Sequence, residues 1–453
     1  MSDTIAAIAT GAAVSAIGII RLSGENTISS VDRLFHPYSG RKISEEKNRR
    51  LVYGELYSTN GELIDVCMCT ISRGPSSYTG EDTAEFQCHG SPMVLRTVLE
   101  ELFRLGVRQA KPGEFTKRAF LNGRLELTSA EAVADLIDAE TAEAAKNAAG
   151  QLSGAIGKKS TLVYSQLADI CSHYHAVLDY PDEDIEPFIM GEYKNVLNDA
   201  VLQFERLLRT YSRGRHMRSG IPAAIIGKPN AGKSSLLNAL LGYDRAIVTS
   251  MPGTTRDTIE ERIRIGGVTL RLIDTAGIRD AENEAEKLGV QRSLAAAEDA
   301  ELILAVIDGT AEYDEETEKI LAVASKAQKS IAVLSKKDIS NSCVDCSRFK
   351  IPTVSVSSVT GEGLDELENR VADLFPEPDV PAGEILTNSR QAEAISRALD
   401  FLKAALKAME YGNTPDIVLT EVEGAMQAIG ELNGQTVRED VTDRIFERFC
   451  VGK

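Results

Sequence analysis

The sequence predicts a multidomain protein in which an α/β P-loop module is inserted into a helical domain that follows an α+β region. Three observations predict it: an unsubstituted phosphate-loop motif between a buried strand and a helix start, short β-rich runs before residue 122, and helical periodicity on both sides of the module. A chain of 453 residues fits about three domains of roughly 150 residues each. The boundaries fall at 1–122, 123–215, 216–379 and 380–453, the second and fourth spans being two parts of one helical domain.

In the first span, Leu51-Val52-Tyr53-Gly54-Glu55-Leu56 and Val66-Cys67-Met68-Cys69-Thr70-Ile71 alternate with Gly/Pro turns, as strands do. The run from Ile5 to Ile20 is apolar enough to suggest a secretory leader. Asp3, however, stands where a positive region belongs, and the run falls short of the ~20 residues that span a bilayer. Its β-branched residues and central Gly11 read as two strands around a turn, with no membrane segment. Thr128-Ser129-Ala130-Glu131 reads as a capping box opening a long helix through Ala149. Further helices are expected near 161–180, 194–210 and 391–409, and again in the last segment to Phe449, from about Val437. Ser212-Arg213-Gly214-Arg215 and the proline-rich run 376–381 read as the crossing points into and out of the module.

Composition narrows the class. Hydrophobic residues at 43% and charged residues at 26% describe a soluble globular protein. A net charge of −18 argues against autonomous nucleic-acid binding, which rests largely on neutralising phosphates. The seven cysteines form no secreted framework, and Cys343-Val344-Asp345-Cys346 is a lone C-x-x-C without the second pair of a zinc site. A reduced, cytoplasmic setting fits best.

The module carries its chemistry in order. Gly227-Lys228-Pro229-Asn230-Ala231-Gly232-Lys233-Ser234 matches G-x-x-x-x-G-K-[ST], with Ala223-Ala224-Ile225-Ile226 before it and Ser235-Leu236-Leu237 after it. Backbone N–H groups of such a loop curl round phosphates, and the helix N-terminus favours their charge. Lys233 then reaches the β and γ phosphates and Ser234 holds Mg²⁺. Gly253-Thr254-Thr255-Arg256-Asp257 supplies switch-loop hydroxyls, Thr255 being the second Mg²⁺ ligand, and Thr249-Ser250-Met251-Pro252 just before it extends the expected nucleotide contact. The strand 268–273 delivers Asp274-Thr275-Ala276-Gly277, where the carboxylate faces Mg²⁺ through water and the glycine amide senses the γ-phosphate.

Base choice rests on Ser335-Lys336-Lys337-Asp338, because the Asp338 carboxylate can accept both guanine's ring N–H and its amino group. GTPases usually place Asn where Ser335 stands, so weaker guanine affinity is expected, with preference kept. Ser357-Ser358-Val359 is a candidate backbone contact to the base. Many GTPases place a water-orienting Gln directly after D-x-x-G; here Ile278 stands there and cannot polarise water. Four acids follow, Asp280, Glu282, Glu284 and Glu286, any of which can orient water or be plain solvated charge.

These motifs, with Ile19-Ile20-Arg21-Leu22-Ser23-Gly24, Tyr78-Thr79-Gly80-Glu81-Asp82, Pro112-Gly113-Glu114-Phe115 and Phe449-Cys450-Val451-Gly452-Lys453, resemble the tRNA-modification GTPase family known as MnmE or TrmE along essentially the whole chain. Departures are Ser335 and Ala12-Ala13-Val14-Ser15, where the family tends to carry a Gly/Pro-rich turn. The resemblance implies a tetrahydrofolate-binding-like N-terminal domain that forms a homodimer, a discontinuous helical domain and an inserted GTPase domain. It implies a flavoprotein partner, MnmG (GidA), in a heterotetramer-type complex that reaches tRNA and builds a carboxymethylaminomethyl-type group at C5 of wobble uridine 34.

It implies K⁺ held by Asn230, Thr249, Met251 and Thr254, and Glu286 as the acid that orients water. It also implies a 5-formyl- or methylene-type tetrahydrofolate on Arg21, Glu85, Arg124 and Lys453. Cys450 stays open between a chemical role, as nucleophile or acid, and packing beside Phe446 and Phe449. The tail must then lie beside the N-terminal domain. A ribosome-assembly GTPase is the rival class, disfavoured by the acidic balance; an ATPase is disfavoured by Asp338.

Overall fold

A computed structural model of the chain describes residues 3–11, 13–180, 186–243, 261–273, 297, 299–339, 349–376, 380–436, 442, 445–447 and 449–452. It divides into two compact units. One comprises Met1–Ile137, Ala148–Glu205 and Arg390–Lys453; the other comprises Asp138–Asn147 and Arg206–Ser389.

The first unit holds a seven-stranded sheet. Its strands are β1 (Ile5–Ile8), β2 (Ser15–Ser23), β3 (Phe35–Pro37), β4 (Val52–Tyr57), β5 (Leu63–Ser72), β6 (Thr83–Gly90) and β7 (Arg108–Gln109), in the order β3-β4-β5-β6-β2-β1-β7. The apolar N-terminal run is therefore a hairpin, with Ile5 opposite Ser23 and Ile8 opposite Ile20. Alternation along β5 buries Cys67, Cys69 and Ile71 against Leu95, Val98 and Leu102 of the helix Pro92–Arg104.

Helical runs from distant parts of the chain complete this unit. Glu131 of the helix Leu127–Ile137 takes Arg390 Nε at 2.8 Å and Gln391 Nε2 at 2.8 Å from the helix Ser389–Glu410. Ser160 Oγ of the helix Ala155–Asp179 donates to Asn433 Oδ1 at 2.6 Å in the helix Pro415–Asn433. The capping box expected at Thr128 does not form. The helix starts at Leu127, Ala130 N–H bonds the Glu126 carbonyl, and Thr128 Oγ1 is buried with no hydrogen-bond partner. Glu131 is engaged by Arg390 instead, and Ser129 donates to the Gln151 carbonyl. The helix also stops at Ile137, and a separate one runs over Ala142–Leu152. Among the described residues no helix is long and apolar enough to cross a membrane.

The second unit is built on β8 (Ile221–Gly227), β9 (Glu261–Ile265), β10 (Val268–Leu272), β11 (Leu302–Asp308), β12 (Lys329–Ser335) and β13 (Thr353–Ser355), in the order β13-β12-β11-β8-β10-β9. All neighbours are parallel except the β9–β10 hairpin. Ala223 to Ile226 are all buried, the continuous apolar run of a strand covered on both faces. The strand order turns at β8, so the crevice for a ligand opens at the carboxyl ends of β8 and β11. Ser212-Arg213-Gly214-Arg215, expected as a crossing point, is instead part of the helix Tyr211–Ser219. Arg213 fixes it by donating to the Phe375 carbonyl at 3.0 Å and pairing with Glu143 at 2.9 Å.

Candidate functional site

The phosphate loop leaves the end of β8 at Gly227, where a Cβ would stand 2.3 Å from the Val306 carbonyl oxygen; the loop can lie this close to β11 only with glycine there. Asn230 at φ 60° and Gly232 at φ 94° supply the left-handed turns that curl the backbone before the helix Lys233–Tyr243. Leu236 and Leu240 bury that helix against the sheet. Lys233 Nζ donates to the Gly227 carbonyl at 2.9 Å and the Lys228 carbonyl at 2.7 Å, so its ammonium sits across the mouth of the loop. Burial lowers its pKa from the ordinary lysine value, as desolvation of a cation must. Ser234 opens the same helix and Ser235 is exposed beside it.

The segment expected to choose the base, 335–338, meets this loop directly. Ser335, at the end of β12 and 2% exposed, donates its hydroxyl to the Ala231 carbonyl at 2.6 Å. Gly232 leaves room for that approach, since a Cβ there would lie 3.3 Å from Ser335 Cβ. The Ser335 hydroxyl thus ties the two loops together. Lys336 takes φ 61° and pairs with Asp308 at 2.6 Å; Lys337 pairs with Glu362 at 2.9 Å. Burial opposes charge on Asp308, but Lys336 and the Thr310 hydroxyl and amide outweigh it and hold the carboxyl below its usual range. Ser357 is fully buried and donates to Asp338 Oδ1 at 2.7 Å, which orients the Asp338 carboxylate. Lys337 N–H also bonds the Val356 carbonyl, which brings Ser357, Ser358 and Val359 to the same loop.

Asp308, Asp314 and Glu362 were not singled out from sequence. Asp314 ion-pairs with Lys228 and caps the helix Glu315–Ala324 through Thr317 N–H at 2.9 Å. The signal for Asp308 was its place directly after the buried run 302–307, at a strand's carboxyl end. The expected ligands Thr249 to Thr255, the loop Asp274-Thr275-Ala276-Gly277, Glu286 and Lys453 lie outside the described residues.

A second cluster forms in the N-terminal unit. Register places Arg21 of β2 opposite Glu85 of β6, and Nε donates to Oε1 at 2.8 Å. Their side chains are 21% and 27% exposed, so both remain reachable from solvent. The Arg21 guanidinium lies 5.7 Å from the Tyr78 ring centroid and 5.8 Å from that of Phe115. Arg124 Nε donates to the Ser77 carbonyl at 3.2 Å, at the foot of the same Tyr78 loop. The tail arrives from the other end of the chain: Arg21 Nη1 contacts the Gly452 carbonyl at 3.4 Å, and Gly113 N–H reaches the Cys450 carbonyl at 3.4 Å. Phe446 and Phe449 pack with Leu127, Ala130 and Val133, whereas Cys450 is exposed; packing is therefore the phenylalanines' role, not that of the cysteine.

Comparison with known proteins agrees along the whole chain. Residues 4–124 match the family model "GTP-binding protein TrmE N-terminus", and residues 127–450 match "MnmE helical domain". The tRNA modification GTPase MnmE of Symbiobacterium thermophilum is 40% identical over 100% of this chain and 99% of its own. That of Alkaliphilus oremlandii is 39% identical over 100% of both chains. The G domain of the T. maritima FeoB iron transporter is 29% identical over 34% of this chain and 99% of its own, but its TM-score of 0.26 carries no weight. With one family model covering most of its length and full-length relatives near 40% identity, the chain belongs to the tRNA modification GTPase MnmE family.

Proposed function

We propose that this protein is a GTP hydrolase of tRNA modification. It acts with a flavoprotein partner, MnmG (GidA), to place a carboxymethylaminomethyl-type group on C5 of wobble uridine 34. The observation that supports the reading is a phosphate loop with Lys233 Nζ at its mouth, tied by the buried Ser335 hydroxyl to the segment that carries Asp338, whose carboxylate takes the Ser357 hydroxyl. On GTP binding, Lys233 exchanges the Gly227 and Lys228 carbonyls for phosphate oxygens, and Asp338 accepts guanine's ring N–H and amino group. Ser234 and Thr255 hold Mg²⁺; Asn230, Thr249, Met251 and Thr254 hold K⁺. Both ions supply positive charge against the phosphates. Glu286 orients the attacking water.

Arg21, Glu85, Arg124 and Lys453 hold a 5-formyl- or methylene-type tetrahydrofolate, which supplies a one-carbon unit. The chemistry of the donor set fits that group: a carboxylate for the pterin amino edge, and cations for the glutamate tail. The exposed Cys450 is available beside them as nucleophile or acid. The protein works in the cytoplasm as a homodimer. A net charge of −18 makes tRNA contact through the partner complex the natural route.

Nucleoside analysis of tRNA from cells lacking this protein is the direct test; unchanged wobble uridines would move it to the binding-switch class. Hydrolysis should run far faster in K⁺ than in Na⁺, and equal rates would remove K⁺ from the site. Glu286→Ala should spare GTP binding and slow turnover by roughly 10²–10⁴-fold, the scale of general acid–base help. Glu282→Ala and Glu284→Ala should change little.

A further inference from the structure

On the central strands of the N-terminal sheet, Asp65 and Cys67 of β5 face the same side, and the register that pairs Met68 with Gln87 sets Cys67 next to Cys88 of β6. Both thiols are buried. The Asp65 carboxylate and both sulfurs lie within 4.8 Å of one another, the spread of ligands around a single cation. We propose that Asp65, Cys67 and Cys88 form a binding site for a divalent cation of the zinc class, cross-linking β5 and β6.

Cys69 shows what packing alone looks like on this face: it is fully buried in the same core and outside the cluster. A core needs no carboxylate beside two thiols, yet the Asp65 side chain is only 8% exposed. It is also oriented from outside. Oδ1 accepts Val66 N–H at 2.8 Å and faces His89 Nδ1 at 2.7 Å, and Oδ2 accepts His89 N–H at 2.8 Å. Such outer contacts fix a ligand's direction in metal sites. Two sulfurs with one oxygen select zinc over magnesium or calcium, which prefer oxygen alone. His89 is 75% exposed, so the cluster lies at the rim of the core and a cation can enter along the His89 edge. On binding, the two thiols lose their protons to solvent, two metal–sulfur bonds and one metal–oxygen bond form, and water takes the fourth position.

The test uses the full-length protein, kept reduced and stripped of metal, then titrated with zinc and separately with cobalt(II). One zinc per chain should be retained through gel filtration, and cobalt should give thiolate-to-metal charge-transfer bands. Cys67→Ala/Cys88→Ala should lose both signals, while Cys343→Ala/Cys346→Ala should keep both. Because the first double variant hollows the core, the nearly isosteric Asp65→Asn serves as a second probe and should weaken zinc at least about tenfold. His89→Ala should weaken it by about 10–100-fold, the usual effect of an outer-shell partner. Zinc retained undiminished by Cys67→Ala/Cys88→Ala, zinc lost from Cys343→Ala/Cys346→Ala, or a wild-type cobalt spectrum without thiolate bands would each overturn the proposal.

Discussion

The phosphate loop and the tail cluster use the same steric device for different ends. At Gly227 and at Gly452 alike, a Cβ would stand 2.3 Å from a backbone carbonyl oxygen, of Val306 in one case and Ile8 in the other. In the phosphate loop that contact anchors a turn between two central strands, and residues 227–234 are contiguous in sequence. In the tail cluster it docks a segment onto the end of β1, and the groups that meet come from β2, β6, the Tyr78 loop and residues 450–452. A contiguous site keeps its geometry through its own backbone. A site assembled from distant segments depends on one segment being docked.

Substitutions can break this contrast in order of expected effect. Lys233→Ala removes charge-assisted hydrogen bonds worth about 3 kcal/mol, so GTP affinity should fall roughly a hundredfold or more in a fluorescent-nucleotide titration, with folate binding untouched. Gly227→Ala forces a Cβ onto the Val306 carbonyl and should cost about 1–3 kcal/mol, read as a lowered melting temperature together with weaker GTP binding. Gly452→Ala meets the same clash at φ 101°, yet should leave melting and hydrolysis nearly intact while weakening reduced folate in calorimetry. Parallel loss of stability in both glycine variants would erase the distinction drawn between the two sites.

Ser335→Ala probes the junction inside the contiguous site. Losing one neutral hydrogen bond to Ala231 should cost about 1 kcal/mol, a roughly fivefold drop in GTP affinity. The smallest effect is electrostatic. Asp3 is held down to about 2 by hydrogen bonds from Arg108, against a burial penalty, with Arg118 assisting. A lowered carboxyl pKa stabilises the fold fully above its unfolded value of about 3.9 and loses that contribution as pH falls toward about 2. The melting difference between wild type and Asp3→Asn should therefore shrink on acidification. It should be small throughout, since the Asp3 side chain is 57% exposed.

Legibility followed the same division. Residues 227–234 were readable because one motif encodes a loop whose geometry is local. Asp338 stood out because a carboxylate after an apolar strand suits guanine, whereas the Ser357 hydroxyl that holds it was not legible as its partner. Ser335 was expected to weaken guanine binding, and its bond to Ala231 was not legible, since nothing local reveals that Ser335 approaches just where Gly232 leaves room. Thr128 was misread for the converse reason: a cap signature is local, but Arg390, distant in sequence, had already engaged Glu131. Arg213 looked like linker composition until Glu143 and the Phe375 carbonyl held it in a helix. Arg21 and Glu85 are ordinary charges in sequence; only the β2–β6 register pairs them.

The ion pair of Arg390 with Glu131 and the hydrogen bond of Ser160 with Asn433 span 259 and 273 residues. Their consequence is one of timing. During synthesis the helix Leu127–Ile137 and the strands before it emerge long before the segments that cover them, whereas the sheet from β8 to β13 can close within its own stretch of chain. The inserted unit is thus placed to fold first, and the unit around it stays incomplete, with apolar helix faces uncovered, until residues 390–433 have left the ribosome. Refolding of the whole chain should show two phases, the slower reporting on closure of the outer unit.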